Sequence, residues 1–151
     1  MKYSEAKLGR IFIVRLEDGE ILHEVIEKFA EKKKITGAFI AAVGCADKDS
    51  KLVVGPEKSR SVPANPMDIL LDDVYEIAGV GTIFPNSQDK PILHMHISCG
   101  RKKKSVTGCV RRGVKVWHVM EIIIWELKNS TARRIFEKST GFELMQPCAD
   151  L

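Results

Sequence analysis

Apolar and polar positions along this chain follow two periods, and the longer one occurs once. Across residues 20–34, Ile21, Leu22, Val25, Ile26, Phe29 and Ala30 fall at i, i+1, i+4, i+5, i+8 and i+9, a stripe down one side of a helix. Elsewhere the apolar residues alternate, or form short runs bounded by Gly and Pro. That pattern predicts strands over residues 10–16, 38–46, 52–56, 67–72, 75–84, 92–100, 105–110 and 114–127. Residues 56–66, with three prolines, read as a loop, and residues 85–89 as a turn. Residues 132–136 and 141–145 are expected to close the sheet as short final strands. In the longest strand, Val116, His118, Met120, Ile122 and Ile124 share one face, while Trp117, Val119, Ile123 and Trp125 share the other. Apolar residues on both faces point to a central strand or a subunit interface. The predicted fold class is therefore α+β, with one main amphipathic helix packed on a curved, mostly antiparallel sheet. A doubly wound nucleotide-binding sheet needs helices between its strands, and these are missing.

Composition narrows the class without naming a function. At 151 residues, 44% hydrophobic and 29% charged, the chain has the size and balance of a single soluble domain spanning residues 1–151. No apolar run approaches the ~20 residues of a membrane helix, and Met1-Lys2-Tyr3-Ser4-Glu5 lacks a signal-peptide core, so no membrane partner and a cytoplasmic location are expected. Cys45, Cys99, Cys109 and Cys148 show no CxxC spacing and read as reduced thiols. The net charge of +4 is mild, and its one cluster, Arg101-Lys102-Lys103-Lys104, falls at a predicted hairpin tip with no interleaved aromatics. It could meet a nucleic-acid backbone but offers no base-stacking surface.

The strongest chemical signal is His94-Met95-His96 within the apolar stretch 91–100. Side chains at i and i+2 of a strand share a face about 7 Å apart along the backbone, so the two imidazoles form half of a chelate. Cys109, thirteen residues beyond His96 across a hairpin, and His118, on the next strand, are the candidate third and fourth ligands. Three protein ligands leave a zinc ion an open position for chemistry, whereas four favour a closed structural site. Glu76 is the acidic neighbour expected to orient a histidine or act as general base. Glu121 lies on the face opposite His118 by alternation. A plainer reading accompanies each residue: an HxH pair can be the polar face of a half-exposed strand, His118 a core histidine, Cys109 a small buried hydrophobe. His23 reads as a solvated flank of the helix. The conjunction of the other residues is what favours a metal, zinc or a similar divalent transition ion.

The order of these segments resembles the plants-and-prokaryotes conserved domain family over residues 9–142. Its marks are Gly9-Arg10-Ile11-Phe12-Ile13-Val14-Arg15-Leu16, the stretch 38–44, Tyr75-Glu76-Ile77-Ala78-Gly79-Val80-Gly81-Thr82-Ile83, His94-Met95-His96, and Glu121-Ile122-Ile123-Ile124. Members of this family are similar in fold to acetolactate decarboxylase, whose zinc is held by an HxH pair and the histidine of a Gly-Gly-His segment. The resemblance carries the pair onto His94 and His96, and the third position onto Cys109 of Thr107-Gly108-Cys109. Cysteine there departs from the decarboxylase ligand set and brings His118 forward as a substitute. The resemblance further implies a homotrimer, which would bury the two-sided strand. The implied function is a metal-binding protein, as a metal-dependent lyase or hydrolase on a small molecule, or else a non-enzymatic DNA-associated or protein-interaction module.

Overall fold

The structure, a computed structural model, describes residues 1–62 and 64–147; Cys148 lies outside the described residues. Among the described residues, ten strands and one helix follow in the order β1 (Lys7–Glu17), α1 (Leu22–Lys33), β2 (Ala38–Ala46), β3 (Lys51–Pro56), β4 (Pro66–Leu70), β5 (Tyr75–Pro85), β6 (Pro91–Arg101), β7 (Lys104–Cys109), β8 (Val116–Lys128), β9 (Arg133–Glu137) and β10 (Phe142–Gln146). Eight of them form one sheet in the order β1-β8-β2-β5-β6-β7-β3-β4, and the strand pairings are antiparallel. One helix on a largely antiparallel sheet is the architecture that the hydrophobic pattern predicts.

Alternation along the strands separates two faces. Leu93, Met95, Ile97 and Cys99 of β6, Ile77 and Ile83 of β5, Ala38, Ile40 and Ala42 of β2, and Met120, Ile122 and Ile124 of β8 are all buried in one core. Leu22, Ile26 and Ala30, four residues apart on α1, close over that core. The helix stops where Lys34 enters the left-handed region at φ 53°, its N–H bonding to the carbonyls of Ala30 and Glu31. Glu27 ties α1 to the sheet by accepting the Leu93 N–H at 2.8 Å. His23, expected in solvent, is half-buried, and its Nδ1 has no hydrogen-bond partner among the described residues. The core thiol of Cys99 is pushed up to about 11 by burial. Among the described residues no helix is long and apolar enough to cross a membrane.

β5 and β6 approach closely because β5 carries glycines on the core side. A Cβ at Gly81 would lie 2.5 Å from Met95 Cβ and 2.7 Å from the His94 carbonyl oxygen. Only hydrogen fits between these strands at that point.

Two sequence expectations are corrected. His118 does not share the face of Met120: Val116 pairs with Ala46 and Met120 with Gly44, so β8 spends two extra residues on a bulge. Within it His118 adopts φ 58°, and its side chain turns out to solvent. Gly44, which pairs with Met120 at the edge of the bulge, is at φ 147°, where a Cβ would meet the Val119 carbonyl oxygen at 2.5 Å. Nor do the last two strands close the main sheet. The chain turns at Asn129, φ 59°, and β9 and β10 pair with one another as a separate two-stranded sheet.

Candidate metal centre

The face of β6 opposite the core carries His94 and His96, and the sheet register supplies their neighbours. Thr82 of β5 lies across from His94, and Cys109, the last residue of β7, lies across from His96. Directly paired residues of antiparallel strands point the same way, so Cys109 projects beside the two imidazoles. Cys109 also pairs with Val53 of β3 on its other side, which accounts for its burial. One donor atom from each of His94, His96 and Cys109 lies within 4.8 Å of the other two. The two imidazole rings stand edge to face with centroids 5.0 Å apart.

These donors fit a zinc-like ion. Tetrahedral Zn–N and Zn–S bonds place donor atoms about 3.3–3.6 Å apart, and the three donor atoms here lie within 4.8 Å of one another before any ion draws them in. His94 is half-buried; desolvation, with the charges of Arg134 and Arg111 nearby, holds its pKa below the ordinary imidazole value and so favours the neutral, ligating form. Cys109 sulfur accepts a hydrogen bond from Arg111 Nε at 3.3 Å.

The same residues line a pocket of about 520 Å³. Val54, Pro56 and Pro66 form its wall on the β3–β4 side, while Arg134, Phe142 and Glu143 enter from the β9–β10 hairpin. Arg134 fastens that hairpin to the sheet, donating from Nε to the Ile92 carbonyl at 3.2 Å and from Nη2 to Thr82 Oγ1 at 3.1 Å.

Two expected participants sit elsewhere. His118 lies on β8, separated from β6 by β2 and β5, and its backbone N–H bonds to Asp18 Oδ1 at 2.7 Å. Its ring packs against Trp117 at 4.1 Å. Glu76 shares the outer face of β5 but pairs with Gly100, four residues along β6 from His96 and so about 13 Å away. Its neighbour is Cys45, whose thiol is pushed up first by burial and then by the Glu76 carboxylate. Arg111, Arg134, Thr82 and Glu143 escaped the sequence reading. The one signal was Arg134 alternating with Ala132 and Phe136, a charge in an otherwise apolar period-two pattern.

Comparisons with known proteins agree on the architecture. A metal-containing protein from Archaeoglobus fulgidus superposes with a TM-score of 0.81 at 27% identity, covering 95% of this chain and 98% of that one. A plant- and prokaryote-conserved protein from Pyrococcus horikoshii gives a TM-score of 0.83 at 27% identity over 100% of both chains. A candidate DNA-binding protein from Bacteroides thetaiotaomicron, at 16% identity and a TM-score of 0.75 over 94% of this chain and 97% of that one, shares the fold. None of the curated proteins compared with the chain matches it. The model of the Plants and Prokaryotes Conserved (PCC) domain matches residues 3–128, and the chain belongs to that family.

Proposed function

We propose that this protein binds a divalent transition-metal ion, zinc by the chemistry of its donors, through His94, His96 and Cys109, all three of which line the pocket. The observation that carries this reading is the convergence of two imidazoles and one thiol within 4.8 Å. Two nitrogen donors and one sulfur donor suit zinc better than hard cations. The Archaeoglobus relative, described as metal-containing, supports the reading. When bound, such an ion with an open position polarises a carbonyl or lowers the pKa of a water, the chemistry of a lyase or hydrolase acting on a small molecule. Glu76 is too distant for the role of general base; Glu143, at the pocket wall, is the acidic group within reach. Metal analysis tests the reading: wild type carries about one ion per chain, and His94→Ala combined with His96→Ala carries none. Equal metal content in the two proteins overturns it.

The outer face of the main sheet supports a homotrimer. Ile11 and Ile13 on β1, Phe39 and Val43 on β2 and Val80 on β5 are exposed there, with β8 between β1 and β2, a patch that a subunit interface would cover. A second functional reading, association with nucleic acid, draws on Lys102, Lys103 and Lys104, all exposed at the β6–β7 turn, and on the description of the Bacteroides relative. Arg101 is already engaged by Asp73 and the Val74 carbonyl, which leaves the three exposed lysines to meet a partner. A DNA titration at low salt should show weak binding that fades steeply with added salt and disappears when the three lysines become Ala.

A further inference from the structure

Arg134 is 4% exposed, yet it lines the pocket that holds the three donors. Its Nε and Nη2 are committed to the carbonyls of Ile92 and Thr82 and to the Thr82 hydroxyl. All of these acceptors are neutral. Nη1 makes no hydrogen bond, and no carboxylate forms an ion pair with this guanidinium among the described residues. A cation removed from water is costly unless an anion meets it. Burial and the charge of Arg111 push Arg134 below the usual guanidinium range, while Cys109, Glu143 and Glu27 pull the other way.

The rest of the pocket indicates what that anion is. Arg111 and Arg134 against Glu143 leave an excess of positive charge before any metal is added. The remaining wall is largely apolar, with Val54, Pro56, Phe142 and Met145 facing the same space. A volume of about 520 Å³ is that of a small-molecule site. The free Nη1 suffices for one charge-assisted bond to a carboxylate oxygen, whereas phosphate sites gather several donors, and Arg111 Nε is already given to sulfur.

We infer that the pocket binds a small carboxylate, its carboxyl group on the free Nη1 of Arg134 and its hydrocarbon part against Val54, Pro56, Phe142 and Met145. Arg134 is thus a specificity-determining residue. This inference deepens the metal reading, because the far end of the ligand would face the donor cluster. The Arg134 contact itself does not require the ion.

The test uses 3,3,3-trifluoropropionate as probe and trifluoropropionamide as its uncharged counterpart, followed by fluorine NMR on the metal-loaded and the chelator-treated protein. The carboxylate is expected to bind saturably, the amide at least tenfold more weakly, and the Arg134→Gln variant to lose at least tenfold in affinity for the carboxylate. Where Arg134→Gln does not fold, the Nε–H resonance of Arg134 in nitrogen-15-labelled wild type provides the readout; it should shift on titration with the carboxylate and stay fixed with the amide. Binding retained in the chelator-treated protein supports the inference whatever the fate of the metal reading. Absence of saturable carboxylate binding in both forms, equal binding of amide and carboxylate, or binding of inorganic phosphate alone overturns it, even where metal analysis finds the ion.

Discussion

Near the end of β8, Glu126 holds a carboxylate in a residue only 5% exposed, and Arg10 donates to it from Nη2 at 2.6 Å, from Nε at 2.8 Å and from its backbone N–H at 3.0 Å. These bonds hold the carboxyl at about 2, well below its ordinary 4.5. Because the folded-state value is depressed, the stabilisation is complete above about pH 4.5 and is lost as pH falls toward 2. Glu126→Gln should therefore cost about 1–3 kcal/mol near neutrality. The melting temperatures of variant and wild type should converge as the pH is lowered toward 2–3, a convergence that thermal unfolding monitored across that range would reveal. At the proposed metal centre, His118→Ala and Glu76→Gln should leave metal content unchanged, since neither side chain belongs to the cluster of donors. Cys109→Ser should weaken metal retention, because a hydroxyl is a poorer zinc ligand than a thiolate. Inductively coupled plasma analysis after dialysis separates these outcomes.

Among the elements, those whose side chains face one core were legible in the sequence, because period two or period 3.6 is all that such a face requires. The α1 stripe and the strands through β8 follow that rule. The centre was half legible: alternation put His94 and His96 on one side, and a hairpin brought Cys109 back beside them. His118 was misplaced because it sits inside the bulge, where strand alternation lapses before Met120 resumes it, and neither Trp117 nor His118 advertises the left-handed φ that this takes. The β9–β10 hairpin was misplaced because a short strand carries no mark of which partner it pairs with. Strand spacing at the site rests on Gly81. Gly81→Ala should force β5 and β6 apart, destabilise the fold by about 1–3 kcal/mol and loosen metal retention, as urea unfolding and metal analysis together would show.

For the whole molecule, the apolar outer face is the feature that the described residues leave without a covering layer. Ile13 is 86% exposed on β1, and Val43 on β2 is also open to solvent. If copies of the chain cover this face, Ile13→Glu with Val43→Glu should shift the species in light scattering from trimer to monomer while the circular dichroism spectrum persists. An unchanged mass would place the contact elsewhere.

The hairpin that carries Arg134, Phe142 and Glu143 is built apart from the sheet that carries the metal donors. That separation gives the pocket two independently variable halves. Exchanges at positions 142–145 can reshape the cavity while the donor triad keeps its register, so one metal-holding frame can be retuned toward different ligands by rewriting a handful of codons.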